Sequence, residues 1–180
     1  LSPGIDIEKS KIKKYLKNNL KKVITDIDIF FDLNKNANII SITGTNGKST
    51  TCKIIEKILK TAKFNVKTVG NIGNPILNKT SKRKIYYILE VSSYQLQYSN
   101  LFRSNHAAIL NISPDHLERH KNINNYVKIK SRLFYAQEKP DQPSLVFDKV
   151  SFCWPSGTKA LDNCSLFIPS PGLWMLVGSN

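Results

Sequence analysis

Ile42-Thr43-Gly44-Thr45-Asn46-Gly47-Lys48-Ser49-Thr50 is the stretch that decides the fold. An apolar run, Ile39 to Ile42, enters it. A helical repeat leaves it, with Ile54, Ile55, Ile58, Leu59 and Ala62 spaced to share one face. The order is strand, glycine turn, helix. Gly44 and Gly47 let the backbone turn tightly and aim N–H groups inward, at the positive end of the helix dipole, with Thr45 and Asn46 between them. Lys48 supplies a mobile charge for β- and γ-phosphates, and the Ser49 or Thr50 hydroxyl is placed to ligate Mg²⁺. The general phosphate-loop pattern has a further glycine five residues before Gly47, where this chain has Ile42. The Gly-Lys-Ser-Thr end is intact, and nucleotide-phosphate binding is the expectation.

Outward from the loop, Glu8 to Leu20 reads as an exposed helix with Ile12, Tyr15, Leu16 and Leu20 on its buried side. Lys22 to Thr25 reads as a short strand and Asp26 to Leu33 as a second helix. Asn65 to Val69 is a strand closed by the loop from Gly70 to Pro75. Lys84 to Val91 is a continuous apolar strand carrying Glu90 near its end, and His106 to Ile112 is another, ending at Ser113-Pro114-Asp115-His116. Ile123 to Gln137 reads as a helix. Strands alternate with helices and are apolar on both faces, so the fold class is α/β, a doubly wound and mostly parallel sheet. Ligands sit at the carboxyl ends of such strands. The polar clusters 44–50, 71–74, 90–95 and 111–116 all fall there, which predicts one shared site.

The chain has 180 residues and a net charge of +14. Residues 1–139 hold 25 basic and 10 acidic residues; residues 140–180 hold 2 and 3. The lysines are scattered among Asn and Ile, as an AT-rich genome would produce, so a nucleic-acid surface is not the expectation. Cys52, Cys153 and Cys164 show no paired spacing, which predicts a reducing, cytoplasmic setting and no zinc site. No run of 18 apolar residues suggests a membrane span. With Leu1 in place of Met and no charged-then-apolar leader after it, the start reads as a cut inside a longer chain. Near Pro140 the composition breaks: both tryptophans and five of eight prolines follow residue 139, while sixteen of the eighteen asparagines precede it.

Three further side chains carry candidate chemistry. Glu90, across the sheet from the phosphate loop, suits a Mg²⁺ ligand, the alternative being a solvated strand-end charge. His116 follows a similar strand, although a lone histidine is more often structural; His106 and His120 have weaker cases. Lys130, on the last helix, reads by default as a solvated surface lysine.

The ordered blocks Thr43–Thr50, Gly70-Asn-Ile-Gly73, Glu90-Val-Ser-Ser-Tyr-Gln-Leu96, Asn111-Ile-Ser-Pro-Asp-His-Leu-Glu-Arg-His120 and Tyr126–Phe134 resemble the central ATP-binding domain of the Mur ligases. The Ser2-Pro3-Gly4-Ile5 start and the Ser-Ser-Tyr-Gln-Leu block are most similar to the branch that adds D-glutamate. Other branches and folylpolyglutamate synthase rank behind. The resemblance implies ATP- and Mg²⁺-dependent amide formation in peptidoglycan precursor synthesis, joining D-glutamate to UDP-N-acetylmuramoyl-L-alanine through an acyl phosphate. It implies that Lys48 contacts the β- and γ-phosphates and that Ser49 and Glu90 share one Mg²⁺. His116 would serve a second Mg²⁺, and Lys130 would be the lysine the family carbamylates. Asn71, Ser92 and Gln95 match positions that hold the muramoyl substrate. Catalytic roles thus fall to Lys48, His116 and Lys130. A monomer is expected.

On this reading residues 1–38 are the end of a preceding domain with its linker, and residues 39–139 are a truncated central domain without ligase turnover of its own. Residues 140–180 differ. Leu145–Pro155, Gly157–Ile168 and Gly172–Asn180 read as three antiparallel strands and resemble the start of an ABC-transporter ATPase subunit. Trp154 would take the place of its adenine-stacking aromatic, and Gly178 would begin a cut-off phosphate loop. A chimeric junction near Pro140 is the expectation. The rival readings are an ABC-type ATPase component and a basic nucleic-acid-binding module.

Overall fold

The computed structural model describes residues 1–70, 76–78, 84–135, 145–153, 156–157 and 159–168. The described residues fall into two compact units, one within residues 1–135 and the other within 145–168. In the first, strands β1 (Asn38–Thr43), β2 (Val66–Gly70), β3 (Tyr86–Glu90) and β4 (His106–Ile109) form one parallel sheet in the order β2-β3-β1-β4. Helix α3 (Lys48–Thr61) connects β1 to β2, stepping over β3, and α4 (Ser93–Tyr98) connects β3 to β4. β1 therefore has strands reached by opposite windings on its two sides, and the phosphate loop at its carboxyl end lies at the switch point.

Each sheet face has its own core. On one, Cys52 of α3 packs with Ile42, Val66 and Ile88, flanked by Ile55 and Leu59. On the other, Ile27 and Phe30 of α2 (Asp26–Leu33), Leu96 of α4 and Leu133 of α6 (Ile123–Tyr135) close over Ile39, Val69, Tyr87 and Leu89. The expected α3 stripe is thus rotated. Ile58 is exposed and Ala62 lies beyond the last turn in solvent, while Cys52, at the spacing i, i+3, i+7 with Ile55 and Leu59, is the buried centre.

The N-terminal segment departs further from expectation. The single helix from Glu8 to Leu20 is instead a 3₁₀ turn at Ile7–Lys9, a short α1 (Lys13–Asn18) and a second 3₁₀ turn at Leu20–Lys22. Ile12, Tyr15 and Leu20 are exposed, so the predicted buried side is absent; no acidic residue supports the first turn of α1 and no side chain caps it. No strand forms at 22–25. Thr25 instead caps α2 through a capping box with Asp28. β4 stops at Ile109, short of the expected Ile112, because Asn111 turns toward the phosphate loop.

Asp28 ties this segment to the sheet. Its carboxylate, fully buried, accepts from Thr25 N (2.8 Å) and Thr25 Oγ1 (2.9 Å), from Ser99 Oγ (2.6 Å), and from the Leu101 (2.9 Å) and Phe102 (2.8 Å) amides. Burial pushes its pKa up, but the bonds from Ser99, Thr25, Leu101 and Phe102 win and hold it below the usual carboxylate range.

In the second unit, β5 (Leu145–Cys153) and β6 (Lys159–Ile168) form an antiparallel pair, with register shifts between Phe147 and Cys153. The expected third strand, Trp154, Pro140 and Gly178 lie outside the described residues.

Candidate functional site

The phosphate loop leaves β1 after Thr43 and enters α3 through Gly47, whose φ of 79° caps the helix in the left-handed region. Its shape is held from across the sheet. Asn111 Oδ1 accepts from the amides of Thr45 (3.2 Å) and Asn46 (2.9 Å), and Asn111 Nδ2 donates to Asn46 O (3.1 Å). Thr45 Oγ1 donates to Ser113 O (3.2 Å) and accepts from Ser113 N (3.0 Å). Two loop amides are thereby used within the protein. The donors left for an anion are the first-turn N–H groups of α3, at Lys48, Ser49 and Thr50, which have no intrahelical acceptor. Lys48 Nζ rests on the loop carbonyls Gly44 O (3.0 Å) and Thr45 O (2.7 Å).

Register aligns Gly70, Glu90 and Ile42 across β2, β3 and β1, which brings Glu90 beside the loop. Glu90 is buried, and Ser49 Oγ donates to its Oε2 at 2.7 Å. Gly70 makes the approach possible. Its φ is 108°, and a Cβ there would sit 2.4 Å from Glu90 O. A carboxylate and a hydroxyl in contact are hard oxygen donors that fit Mg²⁺.

Lys130 overturns the default reading of a solvated helix lysine. It is 1% exposed; its Nζ donates to Gly44 O (2.8 Å) and Thr43 Oγ1 (3.2 Å) and stands 4.7 Å from the Tyr126 ring centre. Burial, reinforced by the Lys48 charge, lowers its pKa to about 7. The helix was readable, but its packing over the end of β1, which turns Lys130 inward, was not.

His116 sits at φ 50° before the four-residue helix α5 (Leu117–His120), half-exposed, 3.4 Å from Asp115 and with its ring 4.9 Å from that of Tyr94. Among the described residues, no three His, Cys, Asp or Glu side chains cluster to hold a metal by themselves. Ser92 caps α4, its Oγ accepting from Gln95 N (3.3 Å), and Gln95 Oε1 accepts from Ser92 N (3.0 Å) while its Nε2 donates to Asp26 (2.9 Å). Asn71 lies outside the described residues. A cavity of about 710 Å³ gathers Gly44, Lys48, Ser92, Gln95, His116 and Lys130, together with Pro3, Gly4 and Asp26. Sequence reasoning gave Asn111, Tyr126 and Asp26 no role. Asn111 stands in the polar cluster 111–116 and, like Tyr126, in a block that carries the family resemblance, and those were the signals available.

The description "Mur ligase middle domain" fits residues 42–151, more than half of the chain and past the composition break at Pro140. The chain belongs to the Mur ligase family. Among relatives of this Mur ligase chain, a UDP-N-acetylmuramoylalanine–D-glutamate ligase of Rickettsia felis is 42% identical over 148 residues, 82% of this chain and 32% of that protein. The namesake from Clostridioides difficile is 39% identical over 150 residues, 82% of this chain and 33% of that protein. A crystal structure of MurF from Acinetobacter baumannii superimposes with a TM-score of 0.48 at 21% identity, covering 63% of this chain and 27% of the other. The chain spans about a third of the length of the curated relatives it matches. No described helix of this Mur ligase is long and apolar enough to cross a membrane.

Proposed function

We propose that this chain is the nucleotide-binding part of a cytoplasmic, monomeric ligase that joins D-glutamate to UDP-N-acetylmuramoyl-L-alanine at the expense of ATP, in peptidoglycan precursor synthesis. Residues 39–139 form its central domain, and 140–180 are a segment of different origin. The observation that carries the reading is that Lys48 and buried Lys130 converge on Gly44 O of the phosphate loop at one cavity, with Ser49, the residue after Lys48, bonded to Glu90. A carboxylate is a poor electrophile, and transfer of the γ-phosphoryl group to it creates an acyl phosphate with a good leaving group. The amine then forms the C–N bond and phosphate departs. The chain's task is to neutralise phosphate charge and align the reactants.

In this reading residues 44–50 hold the ATP phosphates, with Lys48 at the β- and γ-oxygens. Ser49 and Glu90 hold Mg²⁺, and His116 with Lys130 hold a second. Mg²⁺, when bound, supplies charge neutralisation at the transferring group. An amine of pKa near 7 is substantially neutral at physiological pH and can add to CO₂, forming an N–C bond and releasing a proton, which turns Lys130 into an anion. Asn71, Ser92 and Gln95 hold the muramoyl substrate.

Calorimetric titration of the full chain with ATP tests this. Mg²⁺-dependent binding is expected in the wild type, with affinity lowered at least tenfold in Lys48→Ala. Unchanged binding in that variant, or tighter binding to duplex DNA than to ATP, would overturn the proposal.

A further inference from the structure

His120 and Ser93 form a pair that the reading above leaves without a role. Each is only 2% exposed, and His120 Nε2 lies 3.0 Å from Ser93 Oγ. The imidazole is held between Tyr94 and Tyr126, with centroids at 5.6 and 5.4 Å and planes tilted by 37° and 36°. Its other nitrogen, Nδ1, is buried with no hydrogen-bond partner among the described residues. Burial first, and then the Arg119 charge, lower the pKa of the ring. A neutral imidazole has one N–H and one lone pair. The two tautomers differ here in cost. The Ser93 hydroxyl can pair with Nε2 in either tautomer, so Nδ1 decides: a proton there would bury a donor without an acceptor, whereas a proton on Nε2 leaves Nδ1 only a bare lone pair beside two aromatic rings.

We infer that His120 carries its proton on Nε2 and donates it to Ser93 Oγ, so that the Ser93 hydroxyl hydrogen turns into the cavity as a fixed donor for an anionic oxygen of the acidic substrate. Ser93 lines that cavity and has no other hydrogen-bond partner among the described residues. The oxygen belongs to the substrate carboxylate rather than to the nucleotide. Ser93 opens α4 between Ser92 and Gln95, the residues that the proposed function assigns to the muramoyl substrate. The inference rests on the proposed function for the identity of the ligand and on geometry for the tautomer. Ser93 is then a binding residue and His120 a positioning residue.

Nitrogen-15 NMR of histidine-labelled full chain decides the tautomer: a protonated Nε2 with a bare Nδ1 is expected, and a protonated Nδ1 or an imidazolium at pH 7 overturns the inference. Calorimetry with UDP-N-acetylmuramoyl-L-alanine and with Mg-ATP decides the role. Ser93→Ala should weaken the muramoyl compound about tenfold with ATP affinity unchanged, the retained ATP binding showing that the variant is folded. His120→Leu should match it, and His120→Gln, whose side-chain amide keeps a donor near the same place, should recover most of the loss. Unchanged muramoyl affinity in Ser93→Ala, or a loss confined to ATP, overturns the inference. A wild-type chain that binds neither ligand overturns the functional reading instead, while the nitrogen shifts still decide the tautomer.

Discussion

Lys130 shows what burial does to a single side chain. The unfolded chain holds this amine near 10.5 and the folded chain near 7, so between those values the unfolded state binds one proton more. Stability therefore rises with pH across that window, and the cost of the buried amine is greatest at and below pH 7. Lys130→Met is expected to stabilise the ligand-free chain at pH 7, by on the order of 3 kcal/mol, and the gain should shrink toward pH 10. Urea unfolding of both proteins at pH 7 and 9.5 measures the difference, and a gain that grows with pH would refute the assignment. Cys52 makes the opposite point about reactivity. Burial, with Glu90 and Glu56 adding to it, pushes its thiol up to about 12. Iodoacetamide at pH 8 should modify exposed Cys153 while leaving Cys52 unlabelled in native protein, as peptide mapping would reveal.

At the scale of elements, the site depends on two junctions. Gly70 lets β2 end against the carbonyl of Glu90, and Gly70→Ala is expected to cost about 2 kcal/mol or more and to weaken Mg²⁺-dependent ATP binding, since both backbone strain and the Glu90 position are affected. Thermal unfolding and calorimetry read the two effects separately. Asp28 joins α2 to the turn at 99–102. Because its folded pKa lies below the ordinary 3.8, its contribution is complete above that value and is lost as the pH falls below it. Asp28→Ala strips five or more donors of their acceptor and should cost about 3–5 kcal/mol at pH 7, with less difference from wild type near pH 3. Helix α2 was readable from its acidic first turn and apolar spacing, and so were α3, α6 and the four strands. The segment before α2 was misread because apolar residues at helical spacing say which side could be buried, not whether anything lies against it.

For the molecule as a whole, the division into two compact units predicts that a chain ending at residue 138 unfolds cooperatively and keeps the ATP affinity of the full chain. Loss of ATP binding on that shortening would contradict the placement of the site within the first unit. The sequence by itself determined the phosphate loop, the alternation of strand and helix, the parallel sheet and the polar clusters at its carboxyl ends. Each of these depends on near neighbours in the chain, through turn chemistry and hydrophobic period. Only the tertiary structure decided that Lys130 is buried against Gly44, that Asn111 shapes the loop, and that His120 stands between two tyrosines beside Ser93. The hydrogen bonds among those contacts join residues 27 to 86 positions apart, and their chemistry comes from desolvation and from which donor is left without an acceptor, quantities that exist only once the elements have packed.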